Sequence, residues 1–265
     1  MIRRVIGSSA LLLFTSLLPG CGRRVSDVIF LPTAADLTDP LLDLASVTSD
    51  DLVADLGCGD GRIVIRAAQR VGARGLCVEI DPGLVARSRA AADTAGVTQR
   101  IRFVEGDLFE APLEGVTVVA LYLSPALNER LRPKLFRELA PGTRVVSHNF
   151  GMGDWEADSV VTIAGTSGTS SALRLWVIPA DVAGRWTLEL EAAGGSWRYD
   201  VRFEQRYQRI TGTASLDGAT LPVSDVTIRG AAIAFTLGRA PDAPRLTGVV
   251  ESASMQGSGW RASRR

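Results

Sequence analysis

Residues 52–65 read LVADLGCGDGRIVI, and no other stretch constrains the fold as strongly. A short apolar run leads into glycines at alternate positions, Gly57, Gly59 and Gly61, and then into apolar residues at helical spacing. Alternate glycines allow a sharp strand-to-helix turn at positive φ and let another molecule approach the main chain where a Cβ would intrude. The alternation of β-rich apolar runs with helical patterns continues from about Ser49 to Pro179. It predicts βαβ units and a mostly parallel sheet covered on both faces.

Within that region strands are expected at 52–56, 75–80, 101–105, 116–123 and 144–149, and helices over 62–71, 82–95 and 125–139. Pro133 should kink the last helix or divide it in two. Residues 159–164 and 172–178, flanking a Gly/Ser/Thr-rich turn at 165–171, predict an antiparallel hairpin. Together these make a doubly wound, seven-stranded α/β sheet. Beyond Pro179 the period changes to two. Trp186, Leu188 and Leu190 alternate with polar residues, as do Tyr199, Val201 and Phe203, which predicts about five or six antiparallel strands in a small open sheet or barrel over 184–265. The first unit spans 26–179. Trp186, Trp197, Tyr199, Phe203 and Tyr207 either form the core of the second unit or line a pocket in it.

The balance of 29 basic and 29 acidic side chains gives zero formal net charge, which excludes a purely charge-driven nucleic-acid binder. One histidine and three cysteines cannot supply a Cys/His zinc cluster, and no disulfide framework is expected; Cys58 and Cys77 read as small buried thiols. No metal site is expected. Asp154, Glu156 and Asp158 read as a solvated acidic loop.

Residues 1–21 carry Arg3 and Arg4 ahead of an apolar run from Val5 to Leu18, the pattern of an export signal that leaves the protein periplasmic or membrane-anchored. Leu18, Gly20 and Cys21 resemble a lipoprotein cleavage motif, with Pro19 where that motif takes a small residue. An uncleaved anchor, or a cytoplasmic protein with its start placed too early, would give the same sequence.

The acidic residues around the glycines define the ligand. Asp55, two positions before Gly57, would repel the pyrophosphate that glycine loops of dinucleotide folds receive. It suits a ligand that is cationic there, such as an α-ammonium beside a sulfonium. Glu79, at the end of the second strand, stands where a carboxylate accepts hydrogen bonds from both ribose hydroxyls. Asp107, after the third strand, can accept from an exocyclic adenine amine. Each acid alone reads equally as a helix cap; together, at the carboxyl ends of three strands, they point to S-adenosylmethionine.

On these residues the chain resembles the class I, seven-β-strand S-adenosylmethionine-dependent methyltransferases over roughly 32–179. The resemblance implies that Asp55, Gly57 and Gly59 contact the amino-acid part of the cofactor, Glu79 the ribose, Asp107 with Leu108 the adenine, and that Ile80 packs on the adenine. FLPT at 30–33, DLGCGDGRIVI, and Arg102 to Leu108 as R-x-x-x-G-D-L are similar to the ATP synthase c-subunit lysine methyltransferases, which implies a protein lysine as one acceptor.

Methyl transfer asks mainly for alignment of the acceptor, exclusion of water and removal of a proton. Nucleic-acid and glutamine amino-methyltransferases commonly carry Asn/Asp-Pro-Pro-Tyr/Phe after the fourth strand; here Leu121-Tyr122-Leu123-Ser124-Pro125 stands instead, without the amide or carboxylate that would orient a planar NH₂, which argues against a base as acceptor. Tyr122, Ser124 and Asn128 are candidate positioning groups, although Tyr122 also reads as a packed sheet aromatic, and Asn128 with Glu129 as a solvated helix face. His148 is either the general base or a satisfied structural histidine. Trp155 either walls the acceptor pocket or covers the sheet edge. Two other classes of function fit the same sequence: a non-catalytic cofactor-binding scaffold, and an envelope ligand-binding protein acting through its C-terminal β domain. Export also conflicts with the supply of a cofactor made in the cytoplasm.

Overall fold

The computed structural model describes residues 32–164, 170–192, 195–240 and 243–265; the export-signal residues, Cys21, Phe30 and Leu31 lie outside them. In chain order the first unit contains α1 (Ala35–Leu44), β1 (Leu52–Leu56), α2 (Arg62–Val71), β2 (Arg74–Glu79), α3 (Pro82–Thr94), β3 (Ile101–Glu105), β4 (Val118–Leu121), α4 (Pro125–Glu138), β5 (Arg144–His148), β6 (Ser159–Ala164) and β7 (Ser170–Val177). The strands form one seven-stranded sheet in the order β3-β2-β1-β4-β5-β7-β6. β1 pairs in parallel with β2 on one side and β4 on the other, while β7 runs antiparallel to β5. The winding direction therefore reverses between β1 and β4, and open α/β sheets hold ligands beyond the carboxyl ends at such a reversal.

β1 shows why the sheet is buried on both faces. Its alternating side chains send Val53 into a core with Ile63, Val64 and Ala68 of α2, and send Ala54 and Leu56 into a second core with Leu131 and Leu135 of α4. Gly75 is required by the close approach of α2, since a Cβ there would lie 2.9 Å from Val64 Cβ. α1 is a helix that sequence reading did not anticipate; it buries Leu37, Leu41 and Leu42 despite Pro40 within it. α4 is not divided by Pro133 but runs through it, and the strand expected over 116–123 is confined to Val118–Leu121.

The second unit contains β8 (Gly184–Ala192), β9 (Gly195–Arg206), β10 (Arg209–Leu216), β11 (Ala219–Arg229), β12 (Ala232–Leu237), β13 (Arg245–Glu251), β14 (Ser254–Gly257) and β15 (Trp260–Arg264). These eight strands, rather than five or six, close into an antiparallel barrel in which the last, β15, pairs with the first, β8. Closure satisfies every strand edge. The barrel interior is filled: Trp186, Tyr199, Phe203 and Phe235 are buried there, and Phe235 meets Phe203 and Trp260 edge-on at ring separations of 5.5 and 5.4 Å. Trp197 packs at the margin of this core, whereas Tyr207 leaves it and packs against the core of the sheet unit. The aromatics are thus core residues, apart from one that reaches the neighbouring unit.

Candidate active site

β1 ends in the buried Asp55, after which Gly57, Gly59 and Gly61 take φ values of 85°, 54° and 75°. A Cβ at Gly57 would sit 3.1 Å from Leu123 Cδ2, so the turn passes tightly over the end of β4. The backbone N–H groups of Gly57 and Cys58 donate to the Val78 carbonyl at 2.9 and 3.0 Å, and that of Gly59 donates to Glu79 Oε2 at 2.9 Å. The other Glu79 oxygen accepts from the N–H groups of Ile80 and Asp81 at 2.8 and 3.0 Å, which fixes this buried carboxylate at the strand end.

Cys58 is disulfide-bonded to Cys77 on β2, with Cα atoms 5.3 Å apart. This corrects the expectation of two separate thiols. The parallel register sets Asp55 opposite Cys77, so the turn over the end of β1 brings Cys58 back onto β2.

Burial pushes the Asp55 carboxyl up to about 8, reinforced by repulsion from Glu79 and then Asp60. Asp60 itself is held below the usual carboxylate range chiefly by the hydrogen-bonded Arg62 guanidinium. Arg62 also donates to the Thr33 carbonyl at 2.7 Å, tying the segment before α1 to the glycine turn. A dry cluster of acids with one member short of a counter-charge is a poor host for phosphate and fits the ammonium-sulfonium end of S-adenosylmethionine. Asp107, beyond β3, accepts from the Phe109 N–H at 2.9 Å, and Ile80 and Leu108 are half-buried on the same carboxyl edge.

Across the winding reversal lies an aromatic group. Tyr122 follows β4 and stacks on His148, at the end of β5, with ring centroids 4.1 Å apart; the Phe150 ring also stacks with Tyr122, at 6.0 Å. His148 is buried, its Nδ1 is 3.5 Å from Thr33 Oγ1, and its Nε2 has no hydrogen-bond partner among the described residues. Burial lowers the His148 pKa, so the ring is neutral at pH 7. Ser124 caps α4, accepting from the Leu127 N–H at 3.4 Å.

Several side chains stand elsewhere than expected. Asn128 is fully buried rather than on a solvated face, and its Nδ2 donates to the Gly151 carbonyl at 3.1 Å, while its Oδ1 has no partner among the described residues. Trp155 is buried away from the aromatic group and donates through Nε1 to Gln208 Oε1 at 2.9 Å. Nor is the acidic loop free in solvent. Asp154 binds Arg132, Arg206 and Tyr207, Glu156 pairs with Arg209, and Asp158 accepts from the Val177 N–H. Thr33, Arg62 and Phe150 complete the site. Thr33 and Arg62 lie within the FLPT and DLGCGDGRIVI stretches, but neither they nor Phe150 could be assigned a place in the site before the fold brought them to this edge.

Residues 55–159 match the family model of the ANTKMT methyltransferase domain. The chain is 41% identical over 140 residues to the protein-lysine N-methyltransferase of Saccharolobus islandicus, covering 52% of this chain and 87% of that one. It is 37% identical over 110 residues to the mouse adenine nucleotide translocase lysine N-methyltransferase, covering 41% of this chain and 48% of that protein. The match thus takes in about half the length of that animal relative. Among solved structures it is similar to an RNA methyltransferase from Salinibacter ruber in complex with S-adenosyl-L-homocysteine, at 49% identity and a TM-score of 0.55, over 57% of this chain and 96% of that one.

Proposed function

The chain belongs to the class I S-adenosylmethionine-dependent methyltransferases, and from that premise we propose that its methyl acceptor is the side-chain amine of a protein lysine. The observation that carries this reading is the stack of His148, Tyr122 and Phe150 beside the glycine turn, with His148 Nε2 buried and without a hydrogen-bond partner among the described residues. Aromatic faces suit the long aliphatic stem and the positive head of lysine. A lysine must lose a proton to become a nucleophile, and a neutral buried imidazole can receive it at Nε2.

The cofactor, when bound, supplies a methyl group made electrophilic by its sulfonium. Asp55 would hold the ammonium end, Glu79 the ribose, and Asp107, Leu108 and Ile80 the adenine. Tyr122 and Phe150 orient the amine and exclude water, and His148 takes the proton. Ser124 acts on this edge through the start of α4, which its hydroxyl caps. The Cys58–Cys77 disulfide supports export, because such bonds persist in oxidising compartments. The protein is then periplasmic or held at the membrane by a lipid on Cys21 or an anchor within 1–21, and detection of the processed chain in the envelope fraction tests this.

The acceptor is tested by incubating the full chain with methyl-labelled S-adenosylmethionine and, separately, poly-L-lysine, poly-L-arginine and total RNA. Label on poly-L-lysine alone, recovered as methyl-lysine by mass spectrometry, is the expected result. Label on RNA, or none on poly-L-lysine, overturns the lysine assignment.

A further inference from the structure

Tyr207 occupies a backbone conformation that a tyrosine adopts only at a cost. It is the first residue of the two-residue turn between β9 and β10, where Arg206 pairs with Arg209, and its φ is +56°. Hairpin turns of this length favour glycine, asparagine or aspartate at positive φ, and a bulky residue there is retained when the surroundings demand its side chain. The surroundings here belong to the other unit. The Tyr207 hydroxyl donates to Asp154 Oδ1 at 3.0 Å, and the ring lies 5.6 Å from that of Phe136, 5.9 Å from that of Trp155, and 5.2 Å from the Arg132 guanidinium. Beside it, Gln208 accepts from Trp155 Nε1 at 2.9 Å and donates to the Glu156 carbonyl at 2.8 Å.

The segment gripped by this turn begins at the acceptor edge. From β5 the chain runs through His148 and Phe150 to Asp154 and Trp155. Its first half is held from the sheet side, where Ser147 Oγ donates to the Phe150 carbonyl at 2.8 Å and Asn128 Nδ2 to the Gly151 carbonyl at 3.1 Å. Arg132 then donates to the Met152 carbonyl at 2.6 Å. Its second half is held by the barrel. Phe150, whose ring stacks with Tyr122, therefore stands between two anchorages, one in α4 and one in the β9–β10 turn.

We propose that the β9–β10 turn positions the methyl acceptor: Tyr207 and Gln208 fix the segment 150–156 so that Phe150 stays against Tyr122. The barrel is in this sense part of the acceptor half of the site and has no part in holding the cofactor. Tyr207 is a positioning residue, acting through Asp154 and Trp155. The inference rests on the lysine reading only for its choice of acceptor probe.

Tyr207→Asn is the decisive variant, because asparagine suits the left-handed turn while removing the ring and hydroxyl. In the full chain it is expected to leave S-adenosylhomocysteine affinity unchanged by calorimetry. It should lower kcat/KM for poly-L-lysine roughly 10- to 100-fold, mainly through KM. Hydrogen exchange at 150–156 should quicken, and Tyr207→Phe, which keeps the ring, should restore most of the loss. Unaltered kinetics and exchange overturn the proposal, as does an equal loss of cofactor affinity, which would mark a general folding defect. If the wild type methylates no poly-L-lysine, the lysine reading fails, and the exchange comparison still decides the role of the turn.

Discussion

Cys58, at the centre of the glycine turn, is covalently joined to Cys77, two residues before the buried Glu79 on the neighbouring strand. The bond spans 19 residues of sequence and ties the glycine turn, proposed above to hold the cofactor's amino-acid end, to the strand that ends in Glu79, proposed to hold its ribose. Closing a loop of that length is worth about 3 kcal/mol, or roughly 6–12 °C in a unit of this size. Reduction, or Cys77→Ala, should lower the thermal midpoint of the sheet unit by that amount and weaken S-adenosylhomocysteine binding. Scanning calorimetry with and without a phosphine reductant checks this, and a midpoint indifferent to reductant would count against it.

Asp55 gives a pH dependence opposite in sign to that of a salt-bridged acid. Its folded pKa, about 8, lies above the ordinary 3.8, so folding favours its protonated form. The resulting cost is absent below pH 3.8, grows as pH rises between the two values, and is complete above pH 8. Asp55→Asn should therefore stabilise the cofactor-free protein at pH 8 by at least ~1 kcal/mol and have no effect near pH 3.5. The same substitution should weaken S-adenosylmethionine binding by on the order of 1–3 kcal/mol, since the charged partner of the cation is lost. At pH 7 binding should release a proton from Asp55, visible as a heat that differs between phosphate and Tris buffers. Equal heats in both would show that Asp55 is already ionised before binding.

If His148 receives the acceptor's proton, as proposed above, it should set the acid limb of turnover. Burial holds its pKa below the usual 6.5, and only the neutral ring accepts a proton, so kcat should fall as pH drops through a value under 6.5. His148→Asn should cost about 10²–10⁴ in kcat with S-adenosylhomocysteine affinity intact. Retention of kcat with an unchanged pH profile would leave His148 a packing residue for Tyr122.

The parts of this molecule legible in its sequence are those governed by short-range rules. β1, β3 and α2 match their expected bounds because an apolar run, a glycine turn and a 3.6-residue period determine them locally. Asp55, Glu79 and Asp107 stand at or just beyond the carboxyl ends of β1, β2 and β3, as the sequence pattern leads one to expect, because strand ends in such a sheet share one edge. Where tertiary context decides, the sequence is silent. Pro40 disguises α1, whose helix is sustained by Leu41 and Leu42 against the sheet. The barrel's last strands are short, and β14 reads SMQG, with Gly257 present because Trp260 Nε1 would lie 2.2 Å from any Cβ there. Cys58 and Cys77 meet only through strand pairing, and Asn128 looks like a surface residue until the chain after β5 folds over it.

Asp154 links the two units and should govern their cooperation. Hydrogen bonds from Arg206 and Tyr207 lower its pKa to about 2, from an ordinary 3.8. A depressed carboxylate contributes above its unfolded value and loses that contribution as pH falls through the folded one, so this link holds throughout the neutral range and fails only between about pH 4 and pH 2. The group is exposed, and salt screens it. Asp154→Asn should therefore do little to either unit alone while uncoupling them. The sheet and the barrel should unfold in two resolved calorimetric steps at pH 7, where the wild type shows one, and added salt should move the wild type toward the variant. A single step at the wild-type midpoint in Asp154→Asn would assign the coupling instead to Gln208 and Trp155, whose neutral hydrogen bond salt leaves untouched.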